Sequence, residues 1–340
     1  MERVWKGPYE EGLTYSMLSK WLQCRERFRI YAIEGLKEEE KFEVPIIFGS
    51  LWHLCAEFYP EKEKVVEYAR ELARKYRDNA YDVKMMLEVV LHQYQLYKEY
   101  WSERGVYRED LYKESEFAFK YQVDGIEKPI LLRGKIDCIC KLNSCYSVMN
   151  KDAASLVDSI IGKGEIIAIE ETKTKGSIEL EISTVRGNLQ TLFYHLAARQ
   201  AFDIKPNYTI YNVVLRPIGK IRKRKGETTD DFIQRLKDYV DENMELLFKK
   251  YLIKMGDDEF LWGKSKILDP ILRQFCKWYD SIVNLEDPFK SEYHYLMPWG
   301  IYNPLLMDMR GDYYEYIVAN DSTGLERVES LFTELGKEKK

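Results

Sequence analysis

The sequence is short of several features that would have pointed elsewhere. Its six cysteines, at positions 24, 55, 138, 140, 145 and 276, include no CxxC pair, and reduced thiols are expected. No apolar run reaches the length of a membrane span. The opening MERVWKGPYEEG is charged and lacks an apolar h-region, so no signal peptide is expected and the reading is a cytoplasmic protein. A net positive charge is missing too: 52 Lys and Arg stand against 57 Asp and Glu, a balance of -5. Any surface for nucleic acid must therefore be local. Neither an internal repeat nor a low-complexity linker breaks the 340 residues, which favours one compact α/β domain with helical decoration.

What the chain does have is aromatic mass, with 26 Tyr, 7 Trp and 14 Phe. Tyrosine joins a large ring to a polar tip and suits wet clefts as well as cores. Apolar spacing predicts helices over Thr14 to Tyr31, from near Phe48, and twice between about Glu61 and Arg104. The period then changes. SEFAFKYQV and PILLRGKIDCICKL read as a hairpin turned by DGIEK, and EIIAIEETK and YTIYNVVLRP as two further strands. The polar stretch 144–163 reads as an insertion. A helix is expected from about Val185 to Phe202. After Thr228, an N-cap with acids in the first turn, an apolar stripe runs through Phe232, Leu236, Val240, Met244 and Leu247. The last third reads as mostly helical, with a helix from about Ile267 to Ile282 and an aromatic, irregular tail from Asp287.

One strand ends oddly. IIAIEETK finishes an apolar run with two glutamates and a lysine. Alternation puts Glu171 and Lys173 on one face with Ile167 and Ile169, and Glu170 and Thr172 on the other. An isolated ExK recurs by chance and is commonly a solvated strand end. Asp137, in the apolar LLRGKIDCIC, changes that balance. Two strand-borne carboxylates beside an amine are what a Mg²⁺-dependent phosphodiesterase needs, because hard cations take oxygen ligands and leave room for water and phosphate. Glu116 in ESEFAF is a further carboxylate candidate. His53 shares a helical stripe with Gly49 and Glu57; it is either a core-edge histidine or a ligand facing a cleft. Arg186, Gln190 and Tyr194 form another such stripe, either the polar face of an amphipathic helix or a site edge.

Taken in order, FGSLWH (48–53), GKID (134–137), ETK (171–173) and QTLFY (190–194) resemble the motif series of the PD-(D/E)XK nuclease superfamily, in its RecB-type branch with many phage exonucleases. The stretch TYSMLSKWLQCRERF is similar to that branch's opening, with Arg25 where proline is usual. The interval between Asp137 and Glu171 is longer than the usual hairpin. The resemblance implies a restriction-endonuclease-like core: a mixed sheet of about four to five strands flanked by helices, with helical additions at both ends. On that frame, 1–105 is a helical part carrying FGSLWH, 106–218 the nuclease core, and 219–340 a C-terminal helical part.

The resemblance also implies roles. His53, Asp137, Glu171 and the carbonyl of Thr172 would hold Mg²⁺ or Mn²⁺, Lys173 would align the attacking water, and Gln190 and Tyr194 would complete the catalytic set. In some relatives the cysteine matched by Cys24 ligates an iron–sulfur cluster. With Cys276 alone in the last third, no cluster is expected here. Arg186 and the basic segment around LRPIGKIRKRKG, with Arg216, Lys220, Arg222, Lys223, Arg224 and Lys225, are either solvated or contacts to DNA phosphates. The expected function is a DNA exonuclease of recombination, repair or phage DNA processing, with a helicase or single-strand annealing protein as a possible companion. The alternative is a silent DNA-binding or assembly subunit on the same fold.

Overall fold

The computed structural model describes residues 4–103, 108–142, 166–177, 187–287, 290–294, 312–328 and 330–332. Its frame is a five-stranded mixed sheet of β2 (Arg108–Tyr121), β3 (Ile130–Leu142), β4 (Ile166–Lys175), β5 (Tyr208–Leu215) and β6 (Phe248–Lys254), in that spatial order. A separate short pair joins β1 (Leu36–Glu38) to β7 (Leu325–Arg327). Neighbours in the large sheet run antiparallel except β4 and β5. A parallel pair needs a long crossover, and this one carries α6 (Leu189–Ala201).

Helices cover both faces, so β5 is buried at every residue and reads as a continuous apolar run rather than an alternating one. On one face lie α3 (Val44–Phe58), α4 (Lys62–Lys75), α5 (Ala80–Glu103) and α7 (Thr229–Glu242), packed on Cys140, Ala168, Ile210 and Phe248. On the other lie α1 (Tyr15–Gln23), α6 and α8 (Asp269–Ile282), packed on Ile136, Ile139 and Ile169. Among the described residues no helix is long and apolar enough to cross a membrane.

Several local choices differ from the sequence reading. The expected helix from Thr14 to Tyr31 is broken at Cys24, which is extended; its thiol accepts the amide of Arg27 at 3.4 Å and caps α2 (Arg25–Arg29). The stripe after Thr228 does not continue as one helix. Thr228 caps α7 as expected, accepting the amide of Asp231 at 3.2 Å, but α7 stops at Glu242. Met244–Leu247 is a single turn, and the next residues form the edge strand β6. No strand was expected over FKKYLIK, where the adjacent Lys249 and Lys250 interrupt the apolar pattern. Lys250, one of them, is buried because it serves a carboxylate inside the protein. The expected insertion at 144–163 and most of the aromatic tail lie outside the described residues.

That carboxylate is Glu170. On the face of β4 turned towards α5 it takes Lys250 Nζ at 3.1 and 3.2 Å and pairs with the Arg108 guanidinium. Burial opposes its charge, but the two cations hold its pKa down at about 2. Removing one partner from such a group leaves buried charge uncompensated. Glu170→Gln is therefore expected to lower unfolding free energy by roughly 3 kcal/mol at neutral pH, read by urea denaturation. A carboxylate with a lowered pKa stabilises fully above its ordinary value and loses that contribution as pH falls through the folded one. The gap between Glu170→Gln and the parent should therefore narrow between pH 4.5 and 3; a constant gap would show that the pair is not the source.

Candidate metal-binding active site

The register of the sheet lines up three carboxylates. Lys113 pairs with Cys138 and Ser115 with Ile136, which sets Glu114 opposite Asp137. Cys138 pairs with Glu170, so one step further Asp137 comes opposite Glu171. Glu171 in turn pairs with Tyr211. Glu114, Asp137 and Glu171 thus occupy one level on β2, β3 and β4. The backbone is unusual there. Glu114 has φ +44, a conformation few L residues adopt inside a strand. Beside it β3 exchanges faces: Ile136 belongs to the core under α6, and Cys138 to the core under α3 and α5.

Two glycines allow the close packing. A Cβ on Gly134 would stand 2.9 Å from the ring of its cross-strand partner Phe117. One on Gly49 would stand 3.2 Å from Thr174 Oγ1, so the missing side chain lets α3 approach the end of β4. One turn after Gly49, α3 delivers His53 to the carboxylates. His53 Nδ1 lies 3.4 Å from Glu114 Oε1 and 4.0 Å from Asp137 Oδ1. His53, Glu114 and Asp137 each offer a ligand atom within 4.8 Å of the others. Asp137 Oδ2 accepts the backbone amide of Thr172 at 2.8 Å, which ties β3 to β4 across the site.

On the α6 side, Lys173 Nζ pairs with Glu171 Oε1 and lies 3.2 Å from Gln190 Oε1. Gln190 Nε2 donates to the same Glu171 oxygen at 2.7 Å and lies 3.2 Å from the Tyr194 hydroxyl. Gln190 sits in the first turn of α6, where Asn188 caps the helix by accepting its amide at 2.8 Å. Glu171 Oε2 is buried and has no hydrogen-bond partner among the described residues. A lone carboxylate oxygen out of water is costly unless something satisfies it. The group whose ligand atoms lie close enough to share a cation is His53, Glu114 and Asp137; Glu171, on the next strand, acts on Asp137 through its charge.

The electrostatics agree with that grouping. Burial, then the neighbouring Glu171, push Asp137 up to about 7, against the pull of His53. Burial disfavours the charged His53 ring, yet its bond to Glu114 and the charge of Asp137 raise it to about 9. Glu114 is held below the ordinary carboxylate range despite burial, by His53 and Lys135. Lys173 is raised by Glu171, also against burial.

The sequence-derived set is thus brought together for Asp137, Glu171, Thr172, Lys173, Gln190, Tyr194 and His53. Glu116 is a correction. It is exposed on β2, and the carboxylate at the site is Glu114, two residues earlier on the same strand. KESEF offered both glutamates at alternating positions, and only the backbone kink chooses between them. Arg186 lies outside the described residues. Arg216 follows β5 directly; its amide donates to Lys175 O at 2.8 Å and its guanidinium to Thr174 O at 3.3 Å. Lys220, Arg222, Lys223, Arg224 and Lys225 are exposed on the loop between β5 and α7. That loop is closed by a bridge between Ile218 and Ile221 and by Lys223 on Thr229. Among the described residues these five make no contact with the carboxylates.

A family model described as PD-(D/E)XK nuclease superfamily matches residues 12–149. The span takes in FGSLWH and GKID and ends before β4. No curated protein matches the chain. A solved structure titled "Crystal structure of SSO0001" is similar at 14% identity over 67% of this chain and 84% of that one, with a TM-score of 0.25.

A ligand that binds only the folded state stabilises it by mass action, about 2.7 kcal/mol at a hundredfold excess over Kd. Mn²⁺ at that excess should raise the melting temperature of the parent protein, and Glu171→Gln should abolish the rise. An equal rise in both would place the ion elsewhere.

Proposed function

We propose that the chain is a divalent-cation-dependent nuclease acting on DNA. The observation that carries this is the convergence of His53, Glu114 and Asp137 to within ligand distance of one another, with Glu171 and the ammonium of Lys173 on the adjoining strand. His53, Glu114, Asp137 and Glu171, with the carbonyl of Thr172, would hold the cation. Carboxylate oxygens suit Mg²⁺ or Mn²⁺, and the imidazole adds to the case for Mn²⁺. When bound, such a cation neutralises charge on a phosphodiester and makes water more acidic.

The protein's own groups supply the rest. Lys173 carries a fixed positive charge where a scissile phosphate would lie, so it stabilises charge developing on the phosphate oxygens and orients the incoming water. Gln190 holds Lys173 and Glu171 in one arrangement, and Tyr194 holds Gln190. The amide of Thr172 keeps one Asp137 oxygen directed into the site. Beyond Lys173 on the same strand come Lys175 and then Arg216, anchored at the strand end. The cations of the loop after β5 extend this line outward as a track for the DNA backbone.

The motif order supports an exonuclease of recombination, repair or phage DNA processing, leaving a 5′ phosphate; such an enzyme would act in the cytoplasm, beside a helicase or annealing protein. A silent DNA-binding subunit would call for a broken motif, and Asp137, Glu171 and Lys173 are all in place. Labelled linear DNA incubated with Mg²⁺ or Mn²⁺ should be degraded while covalently closed circles survive. Lys173→Ala should slow this roughly 10²- to 10³-fold with an unchanged melting curve. Cut circles would make the enzyme an endonuclease, and full activity in Lys173→Ala would refute the assignment.

A further inference from the structure

Glu114 has its two oxygens committed to different partners. Oε1 faces His53 at 3.4 Å, and Oε2 takes Lys135 Nζ at 2.9 Å. Lys135 also donates to Glu57 Oε2 at 2.9 Å. Glu57 sits on α3 one turn after His53, on the same face of the helix. The contacts therefore close a circuit: His53 to Glu114, Glu114 to Lys135, Lys135 to Glu57, and Glu57 back to His53 through one helical turn. The Glu114 carboxylate is only 4% exposed, so water does little to hold it. A free glutamate side chain has several rotamers, and the kinked backbone at φ +44 narrows where this one begins without fixing where it ends.

We infer that Lys135 and Glu57 are positioning residues for cation binding: together they hold Glu114 so that Oε1 stays directed at the site. This rests on the proposed cation-dependent activity. None of the sequence motifs gives Glu57 a role, and GKID gives none to its lysine.

The charge of Lys135 makes the idea testable in sign. Acting through space alone, a cation so close to a metal site weakens metal binding, and its removal would tighten it. Acting through Glu114, it keeps a ligand in place, and its removal weakens binding. Partners that orient metal ligands typically contribute about 10- to 100-fold in affinity. The experiment is calorimetric titration of DNA-free protein with Mn²⁺ for the parent, Lys135→Met, Lys135→Arg and Glu57→Gln.

Lys135→Met is expected to weaken Mn²⁺ binding about tenfold, with most of the affinity returning in Lys135→Arg. Melting temperatures in EDTA should stay close to the parent's. Binding by Lys135→Met as tight as the parent's, or tighter, overturns the inference. Should Lys135→Met fail to fold, Lys135→Gln, titrated alongside, decides by the same sign, because it removes the same charge, whereas losing the Glu57 anion weakens cation binding through space as well. Weaker Mn²⁺ binding by Lys135→Gln supports the circuit; binding there as tight as the parent's, or unchanged affinity in Glu57→Gln, overturns it. A parent protein that binds no Mn²⁺ would defeat the cation-dependent reading itself, a different result from a parent that binds and a Lys135→Met that binds equally.

Discussion

Repulsion between Glu114, Asp137 and Glu171 is the constraint around which the rest of this structure is arranged. Strand pairing sets the three carboxylates at one level of three adjacent strands, where Coulomb energy between two unit charges about 4 Å apart is about 4 kcal/mol in a partly screened interior. The fold answers with positive groups from every side. His53 comes from α3, Lys135 from the strand of Asp137, Lys173 from the strand of Glu171, and the Thr172 amide from the backbone. Asp137, pushed up to about 7 by burial first and by Glu171 second, is where the cost of gathering these groups out of water shows.

The two glutamates of EETK make the same point by contrast. They are adjacent in sequence and point to opposite faces of β4, both nearly out of solvent. Glu170 meets Arg108 and Lys250, and its carboxylate is fully matched. Glu171 meets Lys173 and Gln190 through one oxygen only, and the other has no partner among the described residues. One glutamate anchors the strand from below. The other is held ready above. On the Glu170 face Asn212 donates to the Thr172 hydroxyl at 3.0 Å and the Tyr97 hydroxyl at 2.9 Å, so the anchor reaches the residue whose backbone amide holds Asp137. A fault in the buried anchor would thus reach that amide.

Much of this was legible in the sequence, because it rests on short-range rules. Period two in IIAIEETK assigned Glu170 and Glu171 to opposite faces, and period 3.6 put His53 with Gly49 and Glu57, and Gln190 with Tyr194. What stayed hidden depends on contacts distant in sequence. No strand was expected over FKKYLIK, since nothing near Lys250 announces its buried carboxylate partner eighty residues earlier. Glu114 went unnamed beside Glu116 because alternation puts the two on one face of a regular strand, and nothing in the sequence announces the φ of +44 at Glu114. The break at Cys24 was missed for a similar reason, because a thiol seldom serves as a helix cap.

The irregularities of the backbone gather at the site. Glu114 is kinked, β3 exchanges faces beside it, and two glycines remove the side chains that would hold α3 and Phe117 away. Backbone strain of this kind costs of order 1–3 kcal/mol and persists where surrounding contacts over-determine it. Here the surrounding contacts are the Lys135–Glu57 circuit, the Asp137–Thr172 hydrogen bond and the first turn of α6. That first turn adds its own field. The exposed amides of a helix N-terminus favour nearby negative charge, and Gln190 carries a hydrogen bond from this end of α6 to Glu171. An open row of carboxylates is therefore stable enough to fold, yet still has one oxygen with no hydrogen-bond partner among the described residues.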